Sequence, residues 1–294
     1  IPNPDLKWER TGQFDIGLDL GLFNNRLRIT TDYYKKKTTD LLYSVAVPAT
    51  SGYQTMLKNI GSIENQGYEL SIESDNLTGA FSWTTAFNIA FNRNKVLELG
   101  GEEYKEMAEG DGHLKTGSVR RLIVGEPIGV FYGYRFDGIF QNEEECKQQT
   151  SSASPIGVGL RRYKDLNGDG KVDAANDREI LGDANPKFFG GLTNTFAYKG
   201  FELNVFLQYS YGNKILNYNA MELENPTGGQ NAYADMVNRW TPENPSNIYP
   251  KATTNRALLV SDRFIEDGSY LKLKTLSLSY SFPKINLKHI QGLR

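Results

Sequence analysis

Apolar and polar residues alternate with a period of two along several segments of the chain. In residues 12–20, Phe14, Ile16, Leu18 and Leu20 are separated by polar residues or glycine. Successive side chains of a β-strand point to opposite faces, so this alternation places every apolar group of the segment on one face. The same pattern predicts an all-β fold with seven long strands. These strands cover residues 12–20, 26–37, 66–74, 81–91, 188–198, 201–211 and 269–282.

Short and long connections alternate between the predicted strands. The turn at Lys199-Gly200 is short, whereas residues 38–65, 92–187 and 212–268 form long connections. Outer-membrane barrels have short turns on one side and long loops on the other. We therefore predict a large antiparallel transmembrane β-barrel with long extracellular loops. Residues 92–187 are expected to form one extracellular excursion with a small β-structure of its own, and residues 212–268 a second long loop.

An open sheet of seven strands would leave two unpaired edges in the bilayer. Each unsatisfied backbone group costs several kcal/mol in hydrocarbon, and a spanning sheet must therefore close on itself. We expect the chain to be one part of a larger barrel. The stretch of residues 284–294 is predicted to lead towards a further strand.

Charge and composition exclude several classes of protein. The chain has 33 Lys and Arg against 35 Asp and Glu, which gives no bulk attraction to nucleic acid. One cysteine and two histidines leave little material for a disulfide, a zinc site or a Ser-His-Asp triad. No apolar run reaches the ~18–20 residues of a membrane helix. We therefore expect neither an enzyme nor a helical membrane protein.

A calcium-loop motif occupies residues 165–173, which read Asp-Leu-Asn-Gly-Asp-Gly-Lys-Val-Asp. Oxygen atoms at alternate positions of such a loop bind a hard cation, and a glycine at the sixth position allows the sharp bend. Asn176 stands at position twelve, where an acid is expected, and Asp177 follows it. The alternative is a polar turn without a metal. The predicted Ca²⁺ ligands are Asp165, Asn167, Asp169, the carbonyl of Lys171, Asp173 and Asp177.

The long loop 212–268 carries aromatic residues among amides and glycines. Trp240 and Tyr249 offer the ring faces beside hydrogen-bonding groups that a sugar or peptide ligand needs. The alternative is that both rings only anchor the loop. The arginine pairs at residues 120–121 and 161–162 lie in long connections and are expected to be solvated.

Ordered motifs give nearly the whole chain a resemblance to a known family. They include Asn-Pro-Asp-Leu-Lys-Trp-Glu at the start, Asn-Gln-Gly-Tyr-Glu, Asp-Gly-Ile-Phe and Arg-Trp-Thr-Pro. In this order the motifs resemble the C-terminal barrel portion of a SusC/RagA-like TonB-dependent outer-membrane transporter of the Bacteroidetes. The motifs lie at residues 3–9, 32–34, 38–42, 59–61, 65–69, 125–127, 132–134, 137–140, 165–182, 239–242 and 270–280.

The resemblance implies a barrel of about 22 strands with a plugged lumen. It also implies uptake of oligosaccharides or peptides across the outer membrane. A SusD-like surface lipoprotein closes over the mouth in this family, and a TonB complex pulls on the plug. Neither the plug nor the TonB-contacting segment matches residues 1–294, so the TonB complex would act through another part of the receptor.

A soluble, calcium-stiffened β-sandwich that binds carbohydrate is the alternative function. A sandwich covers the apolar face of each sheet with a second sheet. A barrel instead presents that face to lipid, with aromatic side chains near both rims. The positions of Trp83, Phe91, Tyr209 and Tyr280 suit such rims.

Overall fold

A computed structural model of the chain describes residues 3–107, 118–225, 231–254 and 259–282. The chain divides into two compact units. The sheet unit comprises Ile1–Glu103, Asn185–Asn213 and Gly268–Arg294, and the loop unit comprises Tyr104–Ala184 and Lys214–Asp267. No helix among the described residues is long and apolar enough to cross a membrane.

The described elements are mostly strands. The sheet unit contains β1 (Arg10–Leu22), β2 (Leu27–Thr39), β3 (Leu42–Ala46), β4 (Thr55–Asn59), β5 (Ser62–Thr78) and β6 (Phe81–Glu98). The loop unit follows with β7 (Tyr104–Glu106), β8 (Arg120–Ile123), β9 (Val130–Tyr134), β10 (Phe136–Ile139), helix α1 (Glu143–Gln148), β11 (Thr150–Ser151), β12 (Arg161–Tyr163), β13 (Lys171–Val172) and β14 (Arg178–Asp183). The chain then continues with β15 (Phe188–Tyr198), β16 (Phe201–Tyr211), β17 (Lys214–Leu216), helix α2 (Tyr218–Leu223), β18 (Ile265–Asp267) and β19 (Tyr270–Tyr280). Short 3₁₀ turns occupy Ala49–Ser51, Ala234–Asn238 and Asp262–Phe264.

The seven predicted strands form one antiparallel sheet in the order β1-β2-β5-β6-β15-β16-β19. Two strands extend furthest beyond their predicted bounds, since β5 begins at Ser62 and β6 ends at Glu98, whereas β1 gains two residues at each end. Polar partners such as Asn65 and Asn94 continue the ladder there. Apolar alternation is absent from these polar stretches, so the sequence pattern ends before the hydrogen bonding does. Residues 92–98 therefore belong to the sheet and not to the predicted excursion.

The register aligns apolar residues across the whole sheet. One row runs through all seven strands and contains only apolar side chains: Leu20, Ile29, Ile72, Phe87, Leu192, Leu207 and Leu273. The neighbouring row faces the opposite side and contains polar residues or glycine: Asp19, Thr30, Ser71, Asn88, Gly191, Gln208 and Lys272. The sheet therefore has an apolar face and a polar face, as the alternation predicts.

A bulge keeps the last strand in phase with this pattern. Leu271 and Leu273 alternate at odd positions, whereas Leu276 and Leu278 alternate at even positions. The register shifts between the partners of Phe206 and Leu207, which leaves Lys274 without an opposite residue. An extra residue in one strand compensates for such a change of phase. All four leucines therefore lie on the apolar face.

The loop unit combines residues from two long connections, Tyr104–Ala184 and Lys214–Asp267. A four-stranded sheet has the order β14-β9-β8-β7, and β17 pairs with β18. One buried cluster takes residues from both connections: Val119, Phe131, Leu216, Ala220, Met221, Val260 and Phe264. The two connections therefore share one core, to which each contributes apolar residues.

Candidate functional site

The apolar face of the sheet is exposed in the sheet unit. On β1, Phe14 and Ile16 are each 60% exposed, and on β19 Leu271 is 72% exposed. Within the described part of this unit, the other strands are the five-residue pair β3 and β4, which form a separate two-stranded sheet. A soluble protein rarely leaves so wide an apolar surface uncovered. The face is therefore a contact surface.

Aromatic rings collect at both ends of the apolar face. Near the short turns, the ring centroids of Trp83 and Phe196 are 5.8 Å apart, and those of Phe201 and Tyr280 are 4.5 Å apart. At the opposite end, Phe188 lies 5.8 Å from Phe91, 6.2 Å from Tyr209 and 5.1 Å from Tyr211. Leucine, valine and isoleucine occupy much of the space between. An apolar band bounded by two aromatic girdles is typical of outer-membrane barrels.

The polar face contains a depression of about 380 Å³ beside Ser71, Asn88 and Gln208. Two aromatic residues, Phe189 and Phe206, also line it. Phe206 fits there because Gly191 has no side chain: a Cβ at Gly191 would lie 2.7 Å from Cε2 of Phe206. The alternation of apolar and polar residues does not by itself reveal this pairing of rings with amides. The signal that indicates it is the Gly190-Gly191 pair, which leaves room for the ring of Phe206 from the neighbouring strand.

The predicted calcium loop forms a tight turn with its carboxylates turned inward. The Asp165 carboxylate accepts hydrogen bonds from the backbone N–H groups of Gly168 at 2.7 Å and Gly170 at 2.6 Å. Asp169 accepts one from the N–H of Lys171 at 2.8 Å. The pKa of Asp173 lies below its ordinary value, chiefly because the N–H of Asn176 donates to it.

The side chain of Asp177 stabilises the same loop from its buried side. Its side chain is fully buried and accepts from the N–H of Leu166 at 2.8 Å and the N–H of Asp173 at 2.7 Å. No group of three or more His, Cys, Asp or Glu side chains in the described residues is arranged to hold a metal ion. The Ca²⁺ site remains a prediction. Independently of a metal, the Asp177 carboxylate stabilises the loop backbone through these two hydrogen bonds.

Trp240 and Tyr249 are half-buried within the loop unit. The backbone N–H of Trp240 donates to the carbonyl of Tyr249 at 3.0 Å, and the Trp240 indole N–H donates to Oε1 of Gln141 at 3.0 Å. The guanidinium of Arg263 lies 5.3 Å from the centre of the Tyr249 ring. These contacts favour the anchoring interpretation, and a role in ligand binding stays a prediction.

The expectation that both arginine pairs are solvated is wrong for one member of each pair. Arg121 is 5% exposed and lies between the rings of Tyr104 and Tyr132, with centroid distances of 4.0 and 3.7 Å. Arg161 is 8% exposed. Both stand in short strands, where one of two neighbouring side chains faces the interior.

A carboxylate compensates the charge of Arg121. Glu106 accepts a hydrogen bond from Nη2 of Arg121, and Arg178 lies 3.4 Å from the same carboxylate. Burial alone would raise the pKa of Glu106, but the hydrogen bonds from Arg121 and Ser118 outweigh it and lower that pKa. The ion pair therefore fixes β7 against β8.

The fold and its surfaces define a class of protein. An antiparallel sheet of long strands, with an apolar face between two aromatic girdles and a polar face behind it, is a segment of a β-barrel wall.

Comparison with known proteins identifies the family. A family model described as TonB-dependent receptor-like β-barrel matches residues 1–111. TonB-dependent receptor P3 of Formosa agariphila is 40% identical over 283 residues, which are 96% of this chain and 28% of the relative. TonB-dependent receptor SusC of Bacteroides thetaiotaomicron is 29% identical over 293 residues, or 96% of this chain and 27% of SusC.

A solved structure of the RagAB peptide transporter is similar over 99% of this chain and 31% of the matched chain, with a TM-score of 0.78 and 26% identity. The chain belongs to the TonB-dependent receptors, in which it forms part of the β-barrel. It spans 28% of the length of the first curated relative. The predicted resemblance to this family and the predicted all-β fold class are therefore confirmed.

Proposed function

We propose that the chain forms part of the pore wall and the extracellular loops of an outer-membrane transporter that takes up oligosaccharides or peptides. The observation that carries this proposal is the pair of rows across all seven strands, one apolar and one polar. Such a wall separates lipid from a wet lumen. The similarity to a structure described as a peptide transporter supports the peptide class, and the resemblance to SusC-like proteins supports the oligosaccharide class.

The polar face supplies groups suited to a passing ligand. Asn88, Gln208 and Ser71 offer hydrogen bonds, while Phe189 and Phe206 offer ring faces beside them. Sugars and peptides use both kinds of contact. Transport of this kind breaks no bond in the ligand. The relatives are named as receptors, and none of the named functions is enzymatic.

Two partners complete the proposed mechanism. A SusD-like surface lipoprotein would cover the extracellular side, where the loop unit is expected to lie, and help to capture the ligand. A TonB complex would supply mechanical work through the plug, which lies in another part of the receptor. We also propose that the 165–173 loop binds Ca²⁺ and that the ion stiffens the loop unit.

An uptake assay tests the transport proposal. Cells that carry the intact receptor are expected to import members of a panel of fluorescent oligosaccharides and peptides, and to lose this import when TonB is inactivated. Phe206→Ala should reduce uptake because it removes a ring from the polar face. The matched variant Val205→Ala, one residue away on the apolar face, should leave uptake unchanged. If deletion of the receptor alters the uptake of no member of the panel, the proposal fails.

A further inference from the structure

A small cavity in the loop unit lies between β12 and two segments of the second long connection, near residues 225 and 250–253. Its volume is about 30 Å³. A single water needs roughly 10–15 Å³ of such space, so the cavity admits a group somewhat larger than one water. Arg161 and Asn225 line the cavity together with Ser154 and Leu160.

Two buried hydrogen-bond donors at this cavity have no acceptor among the residues that the structure describes. Arg161 and Asn225 are 8% and 7% exposed. The Nε atom of Arg161 and the Nδ2 atom of Asn225 are both buried without a partner among the described residues. An unsatisfied buried donor costs about 1–3 kcal/mol, and more when it is charged. Two such donors at one cavity indicate an acceptor that the described residues do not provide.

The charge around Arg161 points to the same conclusion. The guanidinium donates its one hydrogen bond within the described residues to the backbone carbonyl of Glu224, at 3.0 Å. The carboxylate of Glu224 is engaged by Arg263, with Nη2–Oε2 and Nε–Oε2 distances of 2.7 and 2.9 Å. The Glu224 carboxylate is therefore paired with Arg263, and Arg161 contacts only the backbone carbonyl of that residue.

A guanidinium does not neutralise itself by losing a proton in a protein. Burial does lower the pKa of Arg161 from its ordinary value, but the group stays charged at neutral pH. An uncompensated buried charge is costly, and buried charges in proteins are paired. Leu160 and the ring of Phe264, whose centre is 5.4 Å from the guanidinium, cannot supply the missing charge.

We propose that this cavity binds a small monovalent anion, of the size of a halide or a carboxylate group, held by Nε of Arg161 and Nδ2 of Asn225. The occupant is a free anion, because the cavity volume holds few atoms. Its negative charge balances the excess positive charge beside Glu224. It would tie β12 to residues 224–225, and so join the two long connections. This role is independent of the ligand that the receptor transports.

Bromide diffraction on crystals of the intact receptor tests the site. We expect an anomalous bromide peak in the cavity, within contact distance of Arg161 Nε and Asn225 Nδ2. Asn225→Asp places a carboxylate in the same position and nearly the same volume, so it should abolish the peak while the loop unit stays folded. The control Arg162→Gln changes the neighbouring arginine, which pairs with Asp137 at 2.9 Å, and should leave the peak unchanged.

Competition identifies the source of the anion. Loss of the bromide peak with acetate but not with glucuronate would support a free small anion. Loss of the peak with both would support an anion site but overturn the claim that its occupant is free, in favour of the carboxylate of a larger ligand. A water molecule in the cavity of the bromide-treated receptor, or an unchanged peak in Asn225→Asp, would overturn the proposal.

Discussion

An arginine at the centre of the apolar face of β16 should destabilise the receptor by about 2–4 kcal/mol. The 11 residues of β16 span the face from Phe201 to Tyr211. With a rise of ~3.4 Å per residue and a tilt of about 45°, the strand covers about 24 Å along the membrane normal. This distance matches the apolar band of about 25 Å found in outer-membrane barrels. Leu207 therefore lies near the middle of the bilayer.

The cost of arginine should depend on depth. We expect about 2–4 kcal/mol at Val205 and Leu207, and about 0–1 kcal/mol at Phe201 and Tyr211, where the charge reaches the headgroups. Gln208→Arg is the matched control, since Gln208 is adjacent to Leu207 but lies on the polar face. That substitution should change stability by less than about 0.5 kcal/mol.

Guanidinium unfolding of the intact receptor in phospholipid vesicles, followed by tryptophan fluorescence, measures these differences. Equal costs at Phe201 and Leu207 would refute the assignment of the apolar face to lipid. A cost at Gln208 as large as at Leu207 would refute it as well, because both faces would then be buried in protein.

Three further predictions concern the bulge, the metal and an ion pair. Deletion of Lys274 removes the bulge residue but keeps all leucines of β19 in alternation, so the receptor should still fold in vesicles. Deletion of Ser277 moves part of the strand to the wrong face and should prevent folding. Heat-modifiable migration on gels distinguishes the folded from the unfolded receptor, and equal folding of the two variants would contradict the register. Calorimetric titration with Ca²⁺ should give binding heat for the intact receptor and a much smaller heat for Asp169→Ala. Equal heats would contradict the proposal that the 165–173 loop binds Ca²⁺. The fold lowers the pKa of Glu106 from its ordinary value of 4.5, so the ionised side chain stabilises β7 above pH 4.5, and this stabilisation is lost as the pH falls through the lowered pKa. Hydrogen exchange should therefore show an acid-dependent loss of amide protection in β7, which Glu106→Gln should abolish. An unchanged pH profile in this variant would contradict the prediction.

The seven strands and their two faces could be predicted from the sequence because their signal is local. Alternation of residues such as Phe201, Leu203 and Val205 fixes which side chains share a face, whatever lies beyond the strand. The ends of the strands were harder to predict, since the hydrogen-bonded ladder of β5 and β6 continues through the polar partners Asn65 and Asn94. Backbone hydrogen bonds there need no apolar side chain.

Burial in the loop unit could not be predicted, because it depends on partners distant in sequence. Arg161 meets Glu224, and Phe136 donates its N–H to Asp262 at 2.7 Å. Neither pairing leaves a periodic signal in the sequence. Asp177 shows the same limit: its place after the calcium motif predicts a ligand, but its two hydrogen bonds to the loop backbone could not be predicted from the sequence.

Spin labels along β16 test the membrane-facing wall most directly. Single cysteines at residues 203–209, in an intact receptor in which Cys146 is replaced, carry the label, and collisions with oxygen or with an aqueous nickel complex report its surroundings. We predict that Leu203, Val205 and Leu207 are accessible to oxygen, and that Asn204 and Gln208 are accessible to nickel. Protection of the first set from both reagents would contradict the account, because that face would then lie beneath a second layer of protein.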